Sequence, residues 1–203
     1  MEIKDRILTK ATEMCFRYGV RSVTMDDIAK ELGISKKTIY QNFEDKDEIV
    51  FQMMHCQMEN DKCEWADIGK ISKNIIDKMR NTLNMMRKTM EGMNPAVIFD
   101  IKRYHPRAWS LFQTHKNKFM FEMVTNDIHR GIKEGIFRED LNVELLAKYR
   151  LAQVELGFDN EIFPNNKFSI VEVQTTLMDH FIRGILTEKG LKEYNSYKQS
   201  LQL

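Results

Sequence analysis

Residues 24 to 46 constrain the fold more than any other stretch of the chain: Thr-Met-Asp-Asp-Ile-Ala-Lys-Glu-Leu-Gly-Ile-Ser-Lys-Lys-Thr-Ile-Tyr-Gln-Asn-Phe-Glu-Asp-Lys. Thr24 has the side chain of a helix N-cap, and Asp27, three residues on, supplies the acidic partner of a capping-box variant. Met25, Ile28, Ala29 and Leu32 recur at three- and four-residue spacing, which gives the following helix one apolar face. Gly33 ends that helix, because glycine takes up the left-handed backbone at little cost. Ser35 caps a second helix two residues later. Two short helices joined by so tight a turn make a helix-turn-helix.

The second helix opens on Lys36, Lys37 and Thr38. Cations at a helix N-terminus oppose the macrodipole, so helix stability does not account for them. The phosphates and base edges of a DNA major groove do. Ile39 and Phe43, four apart, face inward. Tyr40, Gln41 and Lys46 offer a phenol, an amide and an ammonium outward, all suited to phosphate oxygens. The competing reading is a solvated basic turn in a small helical domain.

The run Thr24-x-x-x-Ile28-Ala29-x-x-x-Gly33-Ile34-Ser35-x-x-Thr38-Ile39-Tyr40-x-x-Phe43-x-x-Lys46 resembles the N-terminal domain of TetR-family transcriptional regulators. It specifies residue type at about a dozen positions, which makes it a far stronger signal than a two- or three-residue motif. It covers the first quarter of the chain. The resemblance implies an all-α protein: a three-helix helix-turn-helix domain, residues 1–46, then a larger helical effector-binding and dimerisation domain, residues 47–203. It implies DNA contacts from Thr24, Ser35, Lys36, Lys37, Thr38, Tyr40, Gln41 and Lys46. Lys37 stands where many members carry Gly, and Gln41-Asn42 where many carry a residue followed by His. Both departures lie on the DNA-facing surface, so no other member's operator sequence carries over.

The remaining composition narrows the function class. A chain of 203 residues holds one large or two small domains, and its three prolines and nine glycines suit long helices. No run of about 18 apolar residues exists, so no transmembrane helix is expected. The N-terminal Met-Glu-Ile-Lys-Asp-Arg has no apolar signal core, which predicts a cytoplasmic protein without a membrane partner. Within residues 1–50 the basic residues Lys4, Arg6, Lys10, Arg17, Arg21, Lys30, Lys36, Lys37 and Lys46 are met by ten acids. A DNA-binding domain so close to neutral predicts weak non-specific binding. Cys15, Cys56 and Cys63 have no CxxC spacing and read as reduced thiols.

The apolar spacing predicts a first helix over residues 2–18, with Ile3, Ile7, Ala11, Met14, Cys15 and Tyr18 on one face and Gly19 as its stop. A linking helix is expected over 46–64 with no flexible linker after it. Further helices are expected over 71–90, 95–104, 107–134, 142–157 and 169–187. No alternating strand pattern occurs.

In the middle helices, soft and aromatic side chains are dense, and 14 Met in 203 residues is a high count. Met is adaptable packing material that suits variable ligands. A plain core explains such stripes as well. The resemblance places an inducer cavity among these helices, and Met86, Phe99, Tyr104, Trp109 and Phe112 are the expected ligand contacts. Cys56, Glu59 and Cys63 share one helix face, so a metal or redox sensor there is an alternative. The five histidines are scattered, and no Ser/His/Asp set, paired carboxylates or phosphate loop stands out. No enzyme activity, cofactor or resident metal is expected. The last two predicted helices are apolar on more than one side, which requires two partners, and burial within one chain meets that requirement as well as a second copy does. In the resembling family such a pair forms the dimer interface, with Leu177 and Phe181 expected in it. The reading is a homodimeric repressor on a palindromic double-stranded DNA operator, released by a small apolar or amphipathic effector. A helical interaction protein that does not use DNA is the other alternative.

Overall fold

The computed structural model describes residues 2–199. Among these residues the chain is all-α: α1 (Ile3–Tyr18), α2 (Met25–Leu32), α3 (Lys36–Tyr40), α4 (Lys46–Ile71), α5 (Ile75–Met90), α6 (Ala96–Tyr104), α7 (Pro106–His115), a π-helical turn (Lys116–Met120), α8 (Phe121–Lys133), α9 (Val143–Leu156), α10 (Ile170–Ile185) and α11 (Glu188–Gln199). The sole strand-like pairing among them is an isolated bridge between Phe137 and Leu186.

Packing divides the chain into two compact units. The first holds residues up to 62 together with 92–115, and the second holds 63–91 together with residues from 116 onward. This division differs from the expected boundary at 46/47. The reason lies in the first core, where Ile7, Ala11, Cys15, Ile28, Ile39 and Phe43 are joined by Val50, Met53 and Met54 of α4 and by Val97, Ile101 and Ala108 of α6 and α7. The second core gathers Ile75, Met79 and Leu83 of α5, Ile128 of α8, Phe137 from the connection between α8 and α9, Phe181 and Ile182 of α10, and Tyr194 of α11.

Several helix limits depart from the sequence reading, each for a local reason. Tyr18, expected on the buried face of α1, is 52 % exposed. The helix from Lys46 runs on to Ile71 rather than ending near 64. It stops where Ser72 turns its hydroxyl back onto the Ile68 carbonyl, and Asn74 then caps α5 by accepting from the Asp77 N–H at 2.8 Å. Ile71, expected to open the next buried stripe, is therefore exposed. The single helix expected over 107–134 is interrupted by the π turn at Lys116–Met120. One extra residue per turn re-aims the side chains beyond it. The final helix α11 was not anticipated, and it supplies the fully buried Tyr194, whose hydroxyl donates to Asp179 at 2.7 Å.

Candidate nucleic-acid interface

The helix-turn-helix is built from two caps. Thr24 Oγ1 accepts from the Asp27 N–H at 3.2 Å, and Asp27 Oδ2 accepts in return from the Thr24 N–H at 2.9 Å and hydroxyl at 2.6 Å. The Thr24 hydroxyl and then its N–H hold the Asp27 carboxyl below the usual carboxylate range. Gly33 closes α2 at φ 64 in the left-handed region, so a side chain there would be strained. Ser35 Oγ then accepts from the Thr38 N–H at 3.1 Å, and the two hydroxyls lie 2.8 Å apart. Ile39 and Phe43 are fully buried beneath α3. The helix is therefore anchored by one side and capped at its start, which orients its other side.

The expected contact residues divide into three groups. Lys37, Tyr40 and Gln41 are exposed, and no side-chain hydrogen bond or ion pair among the described residues engages them, although the Tyr40 phenol stands near enough to the Lys36 ammonium to act on it. Thr24, Ser35 and Thr38 use their hydroxyls in the caps, and Lys36 pairs with Asp26 at 3.0 Å, bracing α3 against α2. Lys46 departs from the expectation. It is half-buried beside Cys15, Asp100 and Asp27, and burial first lowers its ammonium pKa against the pull of those groups. Burial likewise pushes the Cys15 thiol up to about 11.

Residues outside the expected contact set hold this domain in place, among them the His105-Pro106-Arg107 segment, whose spacing reads as a helix junction or a polar pocket element. Asp100 of α6 is buried and accepts the Arg21 backbone N–H at 2.9 Å, in the turn between α1 and α2. Asn94 donates its own N–H to the Phe16 carbonyl at 2.6 Å. Asp47 in the first turn of α4 bonds His105 Nδ1 at 2.9 Å and lies 3.7 Å from Arg107 Nη1. Arg107 also covers the Phe51 ring at 4.8 Å. The His105-Pro106-Arg107 junction is thus tied to the start of α4.

The expected ligand contacts are not one set. Met86 is buried in the second unit. Phe99, Tyr104, Trp109 and Phe112 belong to the first. Phe99 and Tyr104 are exposed, and Tyr104 is covered by the Arg21 guanidinium at 5.3 Å, so neither lines an interior. Trp109 and Phe112 pack on the first core with ring centroids 5.2 Å apart. Of the expected interface pair, Leu177 is partly buried, while Phe181 is 6 % exposed and lies in the second core with its ring 6.4 Å from that of Tyr149. Phe181 is buried by its own chain. The outward apolar stripe lies instead on α9, where Leu145, Tyr149 and Leu156 are exposed at helical spacing with Ala152 between them. Cys56 and Cys63 are exposed, and no group of three or more His, Cys, Asp or Glu side chains among the described residues is arranged to hold a metal ion.

Residues 7–53 match the model of the bacterial regulatory proteins of the tetR family. Along its length the chain is similar to the HTH-type transcriptional regulator YvaF of Bacillus subtilis, at 24 % identity over 91 % of this chain and 96 % of that one. It is similar to the HTH-type transcriptional repressor KstR2 of Mycobacterium tuberculosis, at 24 % identity over 72 % of this chain and 74 % of the relative. Its fold matches that of a TetR-family transcriptional regulator from Agrobacterium tumefaciens with a TM-score of 0.74, at 15 % identity over 91 % of this chain and 97 % of the other.

Proposed function

The chain belongs, through residues 7–53, to the tetR family of bacterial regulatory proteins, and from that premise we propose that it is a homodimeric repressor released from a palindromic operator by a small apolar or amphipathic ligand. Regulators of this family bind operators as dimers and bind small-molecule effectors. The observation that carries the DNA reading is the fixed orientation of α3. Ile39 and Phe43 lock one side, and Lys37, Tyr40 and Gln41 are left exposed on the other. Tyr40 and Gln41 suit phosphate oxygens, and Lys37 suits a guanine edge. Two copies of α3 must then stand about 34–36 Å apart to meet successive major grooves.

The exposed apolar stripe of α9 supplies a two-fold surface, because a large apolar face on a globular chain marks an interaction site. The second unit is the effector domain in this reading. A ligand bound there regulates only if it prefers the form whose recognition helices no longer match the half-sites. No described helix is long and apolar enough to cross a membrane.

The test is enrichment of bound sequences from a random double-stranded DNA pool by the purified chain. A two-fold symmetric consensus with half-sites one helical turn apart is the expected result. Enrichment of an unsymmetric sequence, or none at all, contradicts the reading.

A further inference from the structure

Arg150 is 5 % exposed, yet its Nη1 has no hydrogen-bond partner, and it makes no ion pair or other polar contact among the described residues. Burial alone pushes its guanidinium down to about 10, and no neighbouring charge offsets the cost. A buried ion without a counter-charge is among the costliest arrangements a fold can hold. Two further orphans lie on α9 itself and on α10, which packs against it. Gln153 Oε1 is one turn along α9, and Gln174 Oε1 is on α10, both buried without a partner. Gln174 Nε2 donates to the Val154 carbonyl at 2.8 Å, which leaves Oε1 as the free end of the amide. A Cβ at Gly157 would collide with that Nε2, so the bare glycine lets the amide lie against α9. A fourth orphan, Thr125 Oγ1, is on α8, which packs on α9.

These groups do not belong to the outward stripe. At about 100° per residue, Arg150 points roughly 130° away from the line of Leu145, Tyr149, Ala152 and Leu156. It is aimed into the second unit, so a partner copy covering the stripe would not pair it.

We propose that Arg150 anchors the carboxylate of an amphipathic acid whose apolar body lies among the side chains of the second unit. The ligand class follows from the chemistry. A guanidinium forks onto a carboxylate through two parallel hydrogen bonds. One cation matches one negative charge, since Lys116, the other buried cation among the described residues of this unit, is already paired with Glu155. The amide oxygens of Gln153 and Gln174 accept from a hydroxyl or N–H group of the same ligand. The inference rests on the proposed effector role of the second unit and narrows that role to a charge class.

The test uses the full chain and three acids, benzoate, octanoate and dodecanoate, each against its own neutral primary amide, with binding followed by calorimetry at pH 7. The wild type is expected to bind at least one acid about tenfold or more tighter than its amide. Arg150→Met removes that preference and leaves the amide's affinity unchanged, while Arg150→Lys keeps part of it. Without ligand, Arg150→Met melts higher by about 2–8 °C, because an unpaired buried charge has gone. The proposal is overturned if no acid is preferred over its amide, if the preference survives in both variants, or if ligand-free Arg150→Met melts lower. Operator binding is measured in parallel to separate the two readings. Charge-selective binding with no operator release keeps the site and refutes the effector role. Release by other compounds with no acid preference keeps the role and refutes the site.

Discussion

Asp100 accepts the backbone N–H of Arg21 at 2.9 Å, and through it α6 holds the turn that connects α1 to α2. The side chain is buried, so the bond is made where water competes little. Asp100→Ala leaves that N–H without its partner and is expected to cost about 1–3 kcal/mol of stability. Asp100→Asn keeps an acceptor and costs less. Denaturant unfolding ranks the pair, and equal losses for Ala and Asn would show that the bond contributes nothing.

Thr24→Ala removes the cap of α2 and is expected to cost about 1 kcal/mol. It also frees Asp27, whose carboxyl the Thr24 hydroxyl and N–H hold below the usual range. Titration of the Asp27 carboxyl by NMR checks this directly. The wild-type value is low and rises in the variant. A group with a lowered carboxylate pKa stabilises the fold above its ordinary value and loses that contribution as the pH falls through the folded one. The acid limb of the stability curve therefore flattens in Thr24→Ala.

His115, at the junction of α7 with the π turn, has its imidazole pKa lowered below 6.5, first by burial and then by the nearby Lys62 ammonium. Below 6.5 the unfolded chain takes up a proton that the folded chain resists. Stability is thus full above 6.5 and falls as the pH drops toward the lowered folded value. His115→Gln should remove that slope, as read from melting temperatures between pH 5 and 8 (a span of about three units around the ordinary histidine range). An unchanged slope would place the titration elsewhere.

The helix-turn-helix was legible because its signals are local. Thr24, Asp27, Gly33 and Ser35 each act within a few residues of their own position, and each does in the structure what its side chain suggests. The break between α4 and α5 was legible too, in Asn74 with Asp77 three residues on, but the apolar Ile71 masked it. Lys46 looked outward by spacing alone. In the fold it is half-buried within reach of the Asp100 charge, 54 positions later in the chain, and no local pattern carries that. Arg150 and Gln153 lie one turn apart in an otherwise apolar stretch, a signal that periodicity averages away. The split of the ligand candidates between two units is likewise a matter of long-range packing.

The dimer reading now rests on α9 rather than on Phe181. Tyr149→Glu with Leu156→Glu alters exposed side chains and is expected to yield a folded monomer in sedimentation. Phe181→Glu buries a charge in the second core and is expected to unfold that unit instead. A wild type that sediments as a monomer at micromolar concentration contradicts the homodimer.

The central claim is that the exposed side of α3 reads DNA. Affinity for the selected operator, measured across salt for the wild type, Lys37→Ala, Tyr40→Phe and Lys46→Ala, tests it most directly. Lys37→Ala should cost about 1–3 kcal/mol and relax sequence preference at one base position. Tyr40→Phe should weaken binding to all sequences alike. Lys46→Ala, half-buried in the wild type, should shift the melting temperature more than the salt slope. Loss of operator affinity on the α3 substitutions, with the fold intact, is the result the account expects. Unchanged affinity in both Lys37→Ala and Tyr40→Phe would contradict it.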